Sequence, residues 1–125
     1  MMTRVAACAC GRLHLRCDGE PMKVSRCHCL QCQKRTGSTY GIAAFFAREK
    51  VQALGERGRF TRASDAGTSV TFYFCPRCGS NVFWERQGKP EAIAVAVGAF
   101  ADPGFPAPKQ DAFTEHRHPW VACIG

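Results

Sequence analysis

Seven of the nine cysteines in this sequence lie in tight clusters that have the spacing of metal ligands. The three clusters are Cys8-x-Cys10, Cys27-x-Cys29-x-x-Cys32 and Cys75-x-x-Cys78. Thiolates two or three residues apart can bind one soft cation, with zinc–sulfur bonds of about 2.3 Å, whereas structural disulfides rarely join such close neighbours. The sequence therefore predicts zinc sites in preference to a disulfide framework.

Cys75 and Cys78 have the pattern of a zinc knuckle, in which Gly79 lets the backbone fold beneath the two sulfur atoms. A knuckle supplies only two of the four ligands that a closed structural site needs. Cys8 and Cys10 can supply the other two, because residues i and i+2 of an extended segment point the same way. We therefore expect one structural zinc that joins the beginning of the chain to its later part.

The remaining cluster offers Cys27, Cys29 and Cys32, which is one ligand fewer than a closed site requires. A zinc with three protein ligands and a free fourth position is typical of catalysis, since water or substrate enters there. The alternative is a second structural site completed by His28 or by a distant side chain. His28 lies between two ligands, so it should point away from them, either as a supporting residue or as a general acid–base.

Lys34 and Arg35 follow this cluster directly, and they are candidates for binding an anionic substrate. A solvated turn is the alternative explanation for both. Cys17 and Cys123 stand alone in the sequence, which favours small buried residues over reactive thiols.

The pattern of the chain is mainly that of short β-strands between turns marked by glycine and proline. Residues 102–108 contain three prolines and should form an extended loop. One helical turn is expected at residues 30–35, immediately after the three-cysteine cluster. Strands are predicted around Phe45, Phe46 and Val51 and at residues 12–17, 68–74, 81–85, 92–97 and 112–115.

The length of 125 residues suits a single domain spanning residues 1–125. The first residues have no apolar stretch long enough for a signal peptide, and no run approaches a membrane span, so we expect a cytoplasmic protein. The formal net charge is +7, and two divalent ions bound by seven thiolates would lower it to about +4. The basic residues are scattered and form no continuous stripe, and this distribution disfavours nucleic acid as the partner. The sequence leaves the oligomeric state open.

Taken in order, these motifs resemble those of the glutathione-dependent formaldehyde-activating enzyme family, which also includes centromere-protein-V-type domains. A lone CxxC motif is common, whereas this ordered combination is specific. The matching segments span nearly the whole chain: CACG at residues 8–11, CHCLQCQKRTGS at 27–38, FCPRCGS at 74–80, GAFADP at 98–103 and PW at 119–120.

The resemblance implies a mostly antiparallel, zinc-stapled β fold called a β-tent. It also implies a structural zinc on Cys8, Cys10, Cys75 and Cys78 and a catalytic one on the remaining three cysteines, hence two zinc ions per chain. The implied activity is carbon–sulfur bond chemistry between formaldehyde and glutathione. Two positions depart from the family pattern, Gln33 where arginine is frequent and Asp111 where histidine is frequent.

The leading hypothesis is a zinc-dependent carbon–sulfur lyase acting on a small thiol–aldehyde adduct such as S-hydroxymethylglutathione, with His28 or a water molecule relaying the proton. One alternative is a non-catalytic zinc domain that binds a protein or a nucleic acid through its basic surface. A second is a redox sensor, in which oxidation of the three-cysteine cluster releases zinc.

Overall fold

The protein is mainly β, with one α-helix, in a computed structural model that describes residues 2–64 and 67–124. Helix α1 spans Leu30–Thr36, and short 3-10 turns lie at Arg48–Lys50, Val97–Phe100 and Thr114–His116. The strands, in chain order, are β1 Thr3–Ala7, β2 His14–Asp18, β3 Lys23–Cys27, β4 Gly41–Ala47, β5 Val51–Leu54, β6 Gly58–Ala63, β7 Ser69–Phe74, β8 Asn81–Arg86, β9 Ala92–Ala96 and β10 Gln110–Ala112.

The strands form two sheets of different size. The smaller sheet is antiparallel and has the order β1-β2-β5. The larger sheet has the order β10-β3-β4-β9-β8-β7-β6, and its pairs are antiparallel except that β10 runs parallel to β3. This parallel pair holds β10 beside the strand that leads into the three-cysteine cluster, because Ala112 is in register with Cys27.

The two faces of the large sheet serve different purposes. On one face, Phe46 and Val95 join Ala6 and Leu15 of the small sheet in one fully enclosed core. Burial of a large apolar side chain stabilises the fold by about 2 kcal/mol, so this layer contributes much of the stability. On the other face, a smaller apolar cluster packs beside a cavity. The cluster consists of Phe72, Ala43, Val70, Trp84 and Ala94.

Most of the predicted elements are present. The helix and the strands around residues 12–17, 68–74, 81–85 and 92–97 are confirmed to within about two residues. The extended stretch predicted through Phe45, Phe46 and Val51 is interrupted by the 3-10 turn at Arg48–Lys50 and forms two strands, β4 and β5. The prediction for residues 112–115 is wrong, because the strand ends at Ala112 and Thr114–His116 is a 3-10 turn. Phe113 between them has a φ of 54°, a conformation that breaks an extended strand. In the described part of the chain, no helix has the length and apolar character needed to cross a membrane.

Candidate functional site

The first cysteine cluster joins two loops that are distant in sequence. Cys8 and Cys10 follow β1, Cys75 and Cys78 follow β7, and their four sulfur atoms lie within 4.8 Å of one another. The Sγ of Cys10 is 3.6 Å from that of Cys8 and 3.7 Å from that of Cys75. Sulfur atoms bound tetrahedrally to one zinc at about 2.3 Å would be about 3.8 Å apart, so the cluster fits the metal.

Each of the two loops turns at a glycine that has a left-handed backbone. Gly11 has a φ of 84° and donates to the carbonyl of Cys8, and Gly79 has a φ of 79° and donates to the carbonyl of Cys75. Glycine adopts this conformation without the strain that a Cβ would cause. The hydrogen bond from the Ser80 hydroxyl lowers the pKa of Cys78 to about 5. The turns therefore bring the four sulfur atoms together, and the lowered pKa of Cys78 favours the metal-binding thiolate form at that residue.

The second cluster is built at the junction between β3 and α1. Cys27 is the last residue of β3, Cys29 is the N-cap of the helix and Cys32 lies in its first turn, and the three sulfur atoms lie within 4.8 Å of one another. The Sγ of Cys29 accepts a hydrogen bond of 3.3 Å from the backbone N–H of Cys32. A cap at this position normally carries an oxygen, so the sulfur both begins the helix and faces the cluster.

The pKa values of these three thiols differ because the thiols form hydrogen bonds with one another. The hydrogen bond from Cys27 lowers the pKa of Cys32 to about 5, and the nearby charge of Arg35 acts in the same direction. The pKa of Cys27 is raised, first by its hydrogen bond with Cys32 and then by burial. The hydrogen bonds within the cluster and the charge of Arg35 therefore favour the thiolate form at Cys32 over Cys27.

The three cysteines open into a cavity of about 450 Å³ on the second face of the large sheet. Its walls carry aromatic rings, namely Phe45, Phe72, Trp84 and Phe113. Five cationic side chains also line it: Lys23, Arg35, Arg62, Arg86 and Lys89. Among residues 2–64 and 67–124, no carboxylate and no histidine lines the cavity. The cavity therefore combines a cysteine cluster that could hold a soft metal ion with an apolar, positively charged interior.

Comparison with known proteins agrees with this arrangement. The family model described as glutathione-dependent formaldehyde-activating enzyme matches residues 3–116. The chain belongs to this family. A crystal structure of a Rhodobacter sphaeroides protein is similar in fold, with a TM-score of 0.60 and 21% sequence identity over 82% of this chain and 90% of that one. Family membership supports a formaldehyde-activating function and points to a thiol partner.

The predicted anion-binding residues of this family member face different spaces. Arg35 lines the cavity, donates from Nη1 to Oδ1 of Asn81 at 2.8 Å and lies 4.2 Å from the ring centroid of Trp84. Lys34 is exposed and lines a separate cleft of about 320 Å³ on the other side of Arg35. Arg35 can therefore contact a ligand at the three-cysteine cluster, whereas Lys34 does not line the cavity.

His28 lies behind the cluster and does not line the cavity. Its side chain is fully buried, and its Nε2 is 2.8 Å from Oδ1 of Asp111. Asp111 also accepts two hydrogen bonds from Arg26, at 2.7 and 3.1 Å, and one from the backbone N–H of Ile124. The Arg26 guanidinium holds the pKa of this carboxyl well below its usual range. This network fixes the backbone on both sides of Cys27.

Gln33 connects the same region to the end of the chain. Its side-chain amide donates to the carbonyls of His28 and His116, at 3.0 and 3.1 Å, and its oxygen lies 2.9 Å from Nε2 of His118. Gln33 and Asp111 therefore both support the cluster from behind and do not line the cavity.

Several cavity residues were not predicted from the sequence. Lys23, Arg62 and Arg86 lie in three different strands of the large sheet, and only the sheet brings them together. A usable signal was the alternation within β3, where Lys23, Ser25 and Cys27 share one face. Extending the face of Cys27 backwards along its strand would have identified Lys23.

Proposed function

We propose that this protein is a zinc-dependent carbon–sulfur lyase that cleaves small thiol–aldehyde adducts such as S-hydroxymethylglutathione. The observation that carries the proposal is the convergence of three cysteines, Cys27, Cys29 and Cys32, on one end of an aromatic cavity. No fourth cysteine, histidine or carboxylate of residues 2–64 and 67–124 joins that group. A site of this composition leaves a position for a substrate sulfur.

Two zinc ions per chain fit the donor sets, one held by Cys8, Cys10, Cys75 and Cys78 and one by the cavity cysteines. When bound in the cavity, zinc supplies Lewis acidity that stabilises a substrate thiolate. The aromatic walls make the surroundings of this site apolar and so strengthen the attraction between Arg35 and a substrate anion. We place the activity in the cytoplasm, where glutathione keeps thiols reduced.

In the cleavage direction, the carbon–sulfur bond of the adduct breaks and its electron pair remains on sulfur. The hydroxyl of the adduct loses its proton, and its oxygen forms the double bond of the aldehyde. Since the described cavity wall has neither a carboxylate nor a histidine, the proton passes to water at the open end. His28 acts as a positioning residue, because its buried ring contacts Asp111 behind the cluster.

The test is turnover of S-hydroxymethylglutathione, followed by NMR exchange between free and adduct formaldehyde. Cys29→Ala should abolish catalysed exchange, while circular dichroism shows an intact fold because the other four-cysteine site remains. Cys123→Ala is the matched control, since Cys123 lies outside both clusters and is exposed, so the buried position expected from the sequence is wrong for this residue. Exchange that continues at the wild-type rate in Cys29→Ala would refute the lyase proposal.

Arg35 and Lys34 give a second, paired test of the same site. Arg35→Ala should lower kcat/KM by about 10-fold or more, which corresponds to loss of one hydrogen bond to a charged group. Lys34→Ala should change it by less than about 2-fold, since exposed charges outside a site contribute little. Equal effects of the two substitutions would contradict the assignment of Arg35 to the cavity.

A further inference from the structure

The cavity also has charged residues at the end that lies away from the cysteines. Lys23, Ser25 and Cys27 occupy alternate positions of β3, and all three line the cavity. Four residues of strand separate the Cα atoms of Cys27 and Lys23 by about 13 Å. A molecule whose sulfur lies at the cysteines can therefore extend along the sheet towards Lys23.

Three more cations lie at this end. Val70 of β7 is in register with Arg62 of β6 on one side and with Arg86 of β8 on the other. Residues in register share a face, so Arg62 and Arg86 flank Val70 with Cα atoms about 10 Å apart. Lys89 follows in the turn after β8 and also lines the cavity. We call Lys23, Arg62, Arg86 and Lys89 the distal cations.

Aromatic rings hold three of these side chains in place. Nζ of Lys23 and the guanidinium carbon of Arg86 lie 4.9 and 4.5 Å from the ring centroid of Phe45. The guanidinium carbon of Arg62 lies 5.0 Å from the ring centroid of Phe72. Stacking of this kind orients a cation while leaving its hydrogen-bond donors free.

The charges of the distal cations are not neutralised by ion pairs with residues 2–64 and 67–124. Salt bridges in that part of the chain involve other cations, namely Arg4, Arg26, His28, Arg48 and Arg77. Burial lowers the pKa of Arg86, and this effect exceeds the opposing one of Glu91. Cations gathered in an apolar cavity, without an ion-pair partner among residues 2–64 and 67–124, favour the entry of an anion.

We infer that the distal cations form a carboxylate-binding subsite that selects an elongated thiol substrate with an acidic group at the end opposite its sulfur. Arg62 and Arg86 can each bind a carboxylate with two hydrogen bonds, and Lys23 adds a point charge. The rings between the two ends contact the middle of the substrate. The inference rests on the proposed function only in placing the substrate sulfur at Cys27, Cys29 and Cys32.

Equilibrium binding of three probe molecules tests this subsite without any turnover. The probes are ω-mercaptoundecanoate, its uncharged counterpart ω-mercaptoundecanol, and undecanoate, which lacks the thiol. Trp84 lines the cavity and reports binding by fluorescence once the exposed Trp120 is replaced in a Trp120→Phe background. The zinc-loaded wild-type chain should bind the mercaptocarboxylate about 10-fold more tightly than the mercaptoalcohol, the gain from one charged hydrogen-bonded pair.

Arg86→Gln should remove most of this preference for the carboxylate, and Lys23→Gln serves as a second variant if Arg86→Gln folds poorly. Arg16→Gln is the matched control, because Arg16 is exposed on β2 of the small sheet, and it should keep the full preference. A preference that is absent in wild type, or that survives in both cavity variants, would overturn the inference. Failure of all three probes to bind wild type would overturn it as well.

The same titrations separate the subsite from the proposed lyase chemistry. The advantage of ω-mercaptoundecanoate over undecanoate measures the contribution of the sulfur, and it should disappear in a Cys29→Ala, Cys32→Ala variant. If the sulfur contributes nothing in wild type while Arg86→Gln still removes the carboxylate preference, the distal subsite stands and the lyase proposal fails.

Discussion

Gly41 and Arg35 face each other beside the three-cysteine cluster, and a Cβ on Gly41 would lie 2.8 Å from Nη2 of Arg35. Gly41 is the first residue of β4 and is in register with Cys27. The missing side chain therefore leaves room for the guanidinium next to the cluster. Gly41 therefore helps to determine where the charge of Arg35, which acts on Cys32, lies beside the candidate zinc site.

Gly41→Ala should displace the Arg35 guanidinium without unfolding the protein. The displaced atoms are at the end of a flexible side chain, and Gly41 has no positive φ that would oppose alanine, so the loss of stability should stay below about 1 kcal/mol. The apparent affinity for the thiol substrate should fall several-fold, as measured by KM in the formaldehyde exchange assay. Gly98→Ala is the control, since a Cβ there meets no atom within 4 Å. Equal KM values for the two variants would show that Arg35 does not depend on this space.

Much of the candidate site could be predicted because its ligands are close in sequence. The spacing within each cysteine cluster is local, and counting ligands was enough to pair Cys8 and Cys10 with Cys75 and Cys78, which lie together in the structure. The helix was predictable for the same reason, since Cys29 and Gly37 mark its two ends within nine residues of chain.

The rest of the fold depends on pairing that a single sequence does not reveal. Strands β1, β3 and β6 were missed, because each carries charged residues that weaken the hydrophobic alternation, such as Arg4, Arg26 and Arg62. Asp111 could not be connected with His28 from the sequence, since the parallel pairing of β10 with β3 brings together residues 83 positions apart. The distal cations were missed because they come from three strands and one turn that only the sheet brings together.

Asp111→Asn should destabilise the protein by about 3 kcal/mol, because it leaves the charge of Arg26 buried and unpaired. The side chains of Arg26 and Asp111 are only 12% and 6% exposed, so water cannot replace the lost partner. Chemical denaturation followed by circular dichroism measures the change. Glu20→Gln provides the control at an ion pair whose carboxylate is 64% exposed, and it should cost less than about 1 kcal/mol. Similar losses in both variants would contradict the buried role of Asp111.

The contribution of Asp111 should also depend on pH. Its pKa in the folded protein is below the ordinary value of 3.8, first because of the Arg26 hydrogen bonds, so the unfolded chain binds the proton more tightly. The stabilisation is therefore fully present above pH values near 3.8 and is lost progressively as the pH falls below that value. The difference in unfolding free energy between wild type and Asp111→Asn should shrink between about pH 6 and about pH 3. A difference that stays constant would mean that the carboxylate charge does not stabilise the fold.

The four-cysteine site should hold the fold together, whereas the cavity site should not. Cys75 is fully buried and its cluster joins the loop after β1 to the loop after β7, so Cys75→Ser should lower the zinc content from two ions to one and abolish cooperative unfolding. A Cys29→Ala, Cys32→Ala variant should also retain one zinc but keep its cooperative transition. Elemental analysis and thermal denaturation of protein purified without chelator measure both properties, and Cys123→Ser should retain two ions. If the cavity variant unfolded and Cys75→Ser remained cooperative, the structural and catalytic assignments of the two sites would have to be exchanged.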